Sequence, residues 1–555
     1  MLPEEQTRRG DPYLLAVVAI AACVWFLTLD GRHLLRSDEG RYAEIAREML
    51  ASGDWITTRY NGVKYFEKPP FQIWMTALAF KTFGIGEWQA RLWTATCGAA
   101  GLLMTAQAAR RWFGRRVGVL TGLTLLAAPA WNLAGHFSSL DMAVSGALAV
   151  VLACVLIAQH PAATTQARRR WMLVAWAAAG VAALTKGLIG IALPGLVLVV
   201  YSVVARDVSL WRSLHILPGT FVFLAIVEPW FVLVSQRNPE FIRFFFIHEH
   251  FERYLSTVHL RTGPWWYFIP LLFAGFAPWL MLVRQMAKVV SEEPRRQSFR
   301  PVLLLAVWAS TIFVFFSLSS SKLPGYIVPV FPALAVLAAL ALERLQLHQW
   351  QRCVLWAGLF FVMVFLAAPI VGRLGGGTTP VALYRAFEPW LIAACLLAVP
   401  GLAVAWQLAA KDRERSYAVY ALTLFLAATL VLRGHEVFGR ASSGINLVAS
   451  IEAAAGPDVP IYSVLLLDHT LPFYLRRTMI MVEAPDELEF GIGQEPDKWL
   501  PTLDAFQARW RNGAPALAVM THETFDRLRS NKLPMIPVVE DERRVVVANF
   551  SALRP

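Results

Sequence analysis

The chain has 555 residues, of which 57% are hydrophobic and only 16% charged, where a soluble globular protein carries about 25% charged residues. Its formal net charge is +12, but the basic residues fall in short connectors between apolar runs. That pattern argues against a nucleic-acid surface and for a chain threaded through a lipid bilayer.

The first apolar run, about Tyr13 to Leu29, follows Arg8 and Arg9. It exceeds a typical signal-peptide core and no small-x-small cleavage site follows it, so it reads as a retained helix and signal anchor. Further runs long enough to cross a ~30 Å hydrocarbon core cover 90–109, 117–134, 140–158, 171–185, 188–204, 213–235, 265–283, 301–318, 325–342, 353–371, 388–408 and 416–433. With the N-terminus inside, the basic connectors at Arg110–Arg116, Arg168–Arg170, Arg295–Arg296 and Lys411–Arg415 all lie inside. The expected fold class is therefore a polytopic α-helical membrane protein of about thirteen transmembrane helices. The membrane body is expected over 1–433 and a soluble α/β domain over 434–555. Five cysteines (Cys23, Cys97, Cys154, Cys353 and Cys395) lie inside apolar runs without a CxxC pair, which fits packing residues rather than a disulfide framework.

This topology places 31–89, 236–264, a turn near Ser319–Gly325 and the tail on the outer side. The first loop is unusually long for a connection. Tyr42, Ile45, Ala46 and Met49 recur at helical spacing, predicting an amphipathic helix in the membrane interface with its acids and arginines facing water. In the tail, PIYSVLLL, MIMVEA, ALAVMT and RRVVVANF read as strands, and IEAAA and THETFDRLRS as helices.

The candidate chemistry gathers on the outer side. Asp38 and Glu39 could merely favour a helix N-terminus, but Arg41, Tyr42, Tyr65, Glu67 and Lys68 share their loop, and Asp141 opens the fourth span at the same level. Carboxylates at one depth can orient a sugar or stabilise charge developing at its anomeric carbon. Lys186, Lys322, Arg243 and Arg253 run against the positive-inside trend. Each alone reads as a snorkelling anchor; together they suggest a phosphate site. In HEHFERY, His248 and His250 offer imidazoles to a divalent ion, with Glu67 as partner to His248, or serve as hydrogen-bonded interfacial histidines. No cofactor is certain; a divalent metal ion on His248 and Glu67 is the one candidate. Glu228, in the seventh span, could line a cavity or partner an outer lysine.

The stretch SDEGRYAEIAREMLASGDWITTRYNGVKYFEKPPFQIW resembles the first outer loop of the bacterial 4-amino-4-deoxy-L-arabinose lipid A transferases, the ArnT family, and TKGLIG, HEHFERY and SKLPGYIVPVFPALA extend the likeness. Gly40 and TTRYNG depart from the family pattern. The resemblance implies a GT-C glycosyltransferase fold in the inner membrane, facing the periplasm. It implies an undecaprenyl phosphate-linked donor, a lipid A phosphate acceptor, and resistance to polymyxin and cationic peptides. Asp38 is implied as the catalytic-loop aspartate and Lys68 as a donor-phosphate ligand, with Arg41, Glu67, Asp141 and Arg253 lining the site. The expected catalytic pair is Asp38 and Asp141, and the expected substrate-binding set adds Tyr42, Tyr65, Lys186, Lys322 and Tyr326. Two other readings stand beside it: transfer of a different polyprenyl-linked sugar, including to protein, and a lipid or sugar transporter.

Overall fold

The computed structural model describes residues 12–245, 263–294, 298–374 and 379–550. Each predicted span coincides with a helix or a bent pair of helices. Among the described residues seven helices are long and apolar enough to cross a membrane, or nine if each bent pair counts as one span. Pro12–Leu27 and Ile189–Ala205 are shorter, and Glu87–Phe113 and Thr165–Lys186 carry several charged residues near their ends.

Both bends have local causes. Arg115–Leu126 and Pro129–Gly135 meet at 67°, because Pro129 lacks the N–H that would continue the first helix. Phe268–Gly275 and Ala277–Ser291 meet at 89°, where Gly275 lies so close to Ala130 that a Cβ would approach its methyl to 2.6 Å.

Leu140–Ala158 and Pro324–Glu343 form the hub, 89% and 83% buried, whereas Ile216–Arg237 and Leu347–Val371 are each 11% buried. An all-apolar helix at the hub packs protein on every side, and one at the rim faces lipid. Asp141 and Tyr326 open the two hub elements, so they stand at the same end of the most tightly held part of the body.

The first loop is ordered. It holds the helix Asp38–Ser52, a hairpin of β1 (Arg59–Tyr60) and β2 (Val63–Lys64), and the helix Phe71–Phe83. Asp38 and Glu39 favour the start of the first helix through its dipole, and Gly53 ends it at φ 70°, its N–H bonded to the Met49 carbonyl.

The tail folds on a six-stranded sheet of order β5-β4-β3-β6-β8-β7, with β3 (Ile461–Val464), β4 (Ile480–Val482), β5 (Trp499–Leu500), β6 (Leu517–Met520), β7 (Ile536–Glu540) and β8 (Val545–Ala548). The β3, β4, β5 and β6 pairings are parallel, and β8 pairs antiparallel with β6 and β7. The four predicted strands are β3, β4, β6 and β8. The sequence reading missed β5, two residues long, and β7, which carries Pro537 and a register shift and so lacks a clean alternation.

One expectation is corrected. Apart from Asp38, the helix Asp38–Ser52 does not present its acids and arginines to water: Glu39, Arg41, Glu44, Arg47 and Glu48 are all buried. The tail domain covers Arg41 and Arg47. Arg47 donates to the Arg476 carbonyl at 3.1 Å. The Asn61 amide donates to the Met479 carbonyl at 2.8 Å and accepts from its N–H at 2.7 Å, as a strand edge would. Leu34 N–H donates to the Tyr474 hydroxyl at 2.8 Å.

Candidate active site

A cleft of about 250 Å³ opens where the first loop, the hub and the turn 319–325 meet. Asp38, Arg41, Tyr42, Glu67, Lys68, Asp141, Lys186 and Tyr326, eight of the residues singled out from sequence, line it together. Leu140, Ile189, Phe315, Phe316 and Leu323 supply an apolar wall. Ionised groups on one side and hydrocarbon on the other suit an amphiphile whose polar head carries charge.

Asp38 is the accessible acid, its side chain 42% exposed. Its placement is set by what flanks it. Ser37 adopts φ 69°, a strained conformation for a residue with a Cβ. Glu39, one residue on, is 3% exposed and locked: Arg32 donates to its two oxygens at 2.7 and 3.2 Å, and Arg91 at 2.7 and 3.2 Å. Leu35 and Ser138 N–H groups add bonds at 3.0 Å each. Burial alone would raise the Glu39 pKa, but the two guanidiniums outweigh it and hold the carboxyl below its usual range. Glu39 is thus an anchor that fixes the backbone carrying Asp38.

Arg41 is held from the tail. Its guanidinium reaches Glu487 Oε2 at 2.7 Å and Asp38 Oδ1 at 3.5 Å. Burial, with Glu67, Asp486 and Asp38 nearby, outweighs the pull of Arg41 and pushes Glu487 up to about 7. Burial also keeps Tyr42 and Tyr65 far above the usual phenol value, so both present neutral hydroxyls. Tyr65 does not line the cleft; it packs edge-on to Tyr60 at 5.7 Å, and its hydroxyl has no hydrogen-bond partner among the described residues. Across the cleft, Lys186 forms an ion pair with Asp141 and lies 4.5 Å from the Tyr326 ring centre. Gly325 must be glycine here, because a Cβ would come within 2.3 Å of Asp141 Oδ2. Lys68 Nζ donates to the Glu67 carbonyl at 2.8 Å.

Lys322, expected to bind substrate, sits off the cleft. It is 5% exposed, and its ammonium donates to the carbonyls of Phe316, Ser317 and Ser319 at 3.2, 2.9 and 2.6 Å. It closes the C-terminal end of the helix Pro301–Leu318, where carbonyls lack helical partners. Arg243 and Glu228 are exposed and do not line the cleft. Arg253, His248 and His250 lie outside the described residues. Among the described residues no group of three or more His, Cys, Asp or Glu could hold a metal ion.

The residues that sequence reasoning missed are Arg32 and Arg91, which hold Glu39, and Glu487 with His469, which come from the tail. Tyr60 hydroxyl and His469 Nδ1 lie 2.7 Å apart, and burial with Arg41 nearby pushes the imidazole down to about 3, so it is neutral. Glu487 lies in an unremarkable polar turn, PDELEF, and only the folded chain brings it to Arg41.

Comparison with known proteins agrees with this layout. The family model of dolichyl-phosphate-mannose-protein mannosyltransferases matches residues 12–245, and that of the aminoarabinose transferase C-terminal domain matches residues 447–549. A helical membrane body, an ionised cleft beneath its first loop and this tail domain define a multi-pass membrane glycosyltransferase of the GT-C type. The chain is similar to the undecaprenyl phosphate-alpha-4-amino-4-deoxy-L-arabinose arabinosyl transferase of Shewanella sediminis, at 30% identity over 86% of this chain and 87% of that one. The Pseudomonas aeruginosa (strain UCBPP-PA14) protein of the same name is 28% identical over 95% and 96% of the two chains. The crystal structure of ArnT from Cupriavidus metallidurans bound to undecaprenyl phosphate is 49% identical, with a TM-score of 0.94 over 99% of this chain and 100% of that one. The chain belongs to the ArnT family of arabinosyl transferases.

Proposed function

We propose that this chain moves 4-amino-4-deoxy-L-arabinose from undecaprenyl phosphate to a phosphate of lipid A, on the periplasmic side of a Gram-negative inner membrane. The observation that carries the reading is the single cleft in which Asp38, Lys68 and the Asp141–Lys186 pair face an apolar wall. The basic connectors support the orientation, since they lie at the opposite helix ends from the cleft.

The reaction is a displacement at the anomeric carbon. A lone pair of a lipid A phosphate oxygen forms the new C–O bond, and the bond to undecaprenyl phosphate breaks with its electrons leaving on that phosphate. The attacking oxygen is already anionic, so no strong general base is needed. Asp38 stabilises positive charge developing on the sugar ring and positions the acceptor, and Lys68, with Arg253, neutralises the departing phosphate. Arg41 extends the cationic side, with Glu487 setting its direction. Tyr42 and Tyr326 give the sugar a partly aromatic bed, and Asp141 acts as a unit with Lys186 in orienting its polar groups. The product carries a cationic amine, which lowers the negative charge of the cell surface and reduces binding of polymyxin and cationic peptides.

A divalent ion on Glu67 and His248 is part of the proposal only as a site. Glu67 lines the cleft, no step above passes through a metal, and transfer measured with and without a chelator decides whether one is required. The central test uses purified protein with both lipids: Asp38→Asn should abolish transfer while retaining donor binding. Full transfer by that variant would refute the assignment. Mass analysis of lipid A from cells with and without the gene separates this reading from transfer of another sugar or to protein, since only the first adds aminoarabinose to a phosphate.

A further inference from the structure

A second cavity, sharing no lining residue with the cleft, lies between the helices Pro12–Leu27, Glu87–Phe113 and Arg115–Leu126 and measures about 540 Å³. Its walls are apolar, and small residues hollow its floor. Gly122 is one of these: a Cβ there would meet nothing nearer than the Ala106 methyl at 3.7 Å. From Leu14 to Phe26 the groove follows thirteen residues of helix, about 18 Å from first to last, comparable with one leaflet of a ~30 Å hydrocarbon core.

One end of this groove is cationic. The chain reverses at Gly114, φ 90°, and the two helices touch at Gly118, where a Cβ would come within 2.6 Å of the Arg110 Cβ. The contact brings Arg110 and Arg115 to the same end of the cavity, both exposed and both lining it. Their neighbour Arg116 reaches Glu414 at 3.6 Å, whereas among the described residues no carboxylate pairs with Arg110 or Arg115. Topogenic arginines alone require no cavity; here the two guanidiniums stand at the mouth of a slot with the depth of a leaflet.

We propose that this groove binds an anionic phospholipid of the leaflet on the basic-connector side, one acyl chain in the slot and its phosphate on Arg110 and Arg115. Paired guanidiniums match phosphate geometry, and basic pockets between helices on the cytoplasmic side select anionic head groups. A zwitterionic lipid offers the same phosphate but adds a cation that the arginines repel. The prenyl donor fits less well, because its phosphate is required at Lys68. The helix Glu87–Phe113 alone separates the two levels by 27 residues, about 40 Å.

The test is native mass spectrometry of the delipidated full chain offered equal amounts of palmitoyl-oleoyl phosphatidylglycerol and phosphatidylcholine. One retained phosphatidylglycerol, favoured by about tenfold over phosphatidylcholine, is expected. Arg110→Gln/Arg115→Gln should remove the preference. Gly122→Phe, which fills the slot and leaves the arginines in place, should lose both lipids. If the glutamine pair does not fold, Arg110→Lys/Arg115→Lys and Gly122→Phe carry the decision, the lysines retaining a reduced preference. Equal retention of the two lipids by the wild-type chain, an unchanged preference in the arginine variants, or displacement of phosphatidylglycerol by undecaprenyl phosphate would each overturn the proposal.

Discussion

Replacing Glu39 by Gln tests whether the site is held in place by the buried cluster behind it. Each Glu39 oxygen accepts three donors: Oε1 from Arg32, Arg91 and Ser138 N–H, and Oε2 from Arg32, Arg91 and Leu35 N–H. A glutamine keeps one acceptor and turns an NH₂ toward the other three donors, whichever way it rotates. It also leaves two guanidiniums, 4% and 1% exposed, without their counter-charge. Breaking a buried ion pair by removing one partner costs about 3–5 kcal/mol, a large share of the ~5–15 kcal/mol that typically separates folded from unfolded protein. Thermal unfolding of the detergent-purified protein, followed by size-exclusion fluorescence, should show a clear loss for Glu39→Gln. A double change, Glu39→Gln with Arg32→Gln, should cost less than the sum of the single changes. The Glu39 carboxyl is held below its usual range, so its contribution is present above the unfolded value of about 4.3 and is lost as pH falls through the lower folded value. The wild-type melting temperature should therefore fall in acid more steeply than that of the variant. Equal melting temperatures at neutral pH would refute the anchoring role.

For Glu487, which titrates near 7, the folded chain keeps the proton to higher pH than the unfolded chain. Its contribution to stability therefore declines from about pH 4.3 toward 7, and Glu487→Gln should flatten melting curves in that window. It should also remove an inflection near neutrality from the transfer profile, because only ionised Glu487 balances Arg41. Gly40→Ala would drive a methyl to 2.3 Å from the His469 carbonyl; overpacking costs about 1–3 kcal/mol, and limited proteolysis should release the tail sooner. Lys322→Met should lower the melting temperature by removing a cap on three carbonyls, with the donor KM unchanged; a large rise in KM would return Lys322 to the binding site.

The membrane body was legible because each span is a local property, a run of apolar residues between basic connectors, and counting spans placed the acids at one common level. The motif residues of the first loop were likewise readable, and the cleft brings eight of them together. Burial of the loop helix was not legible. Its pattern of acids and arginines is that of a solvated face, and the groups that cover it, the Arg476 carbonyl and Glu487, lie in the tail domain; Arg47 and Arg476 are 429 residues apart in the chain. The place of Lys322 off the cleft was not legible for a related reason. An outer lysine that caps a helix and one that binds phosphate have the same neighbours in sequence, and only the direction of the ammonium separates them.

The docking of the tail on the loop helix fixes an order of assembly. Arg41, Glu44 and Arg47 are synthesised before the spans that surround the cleft, whereas their cover waits until those spans are in place. Throughout that interval the helix must remain soluble without its partner. A face of paired charges meets that need, remaining hydrated while alone and becoming an internally neutralised seam once Arg476 and Glu487 arrive. The polar pattern that misdescribes the finished structure is therefore suited to the unfinished one, and the complete site comes into being only after most of the chain has been made.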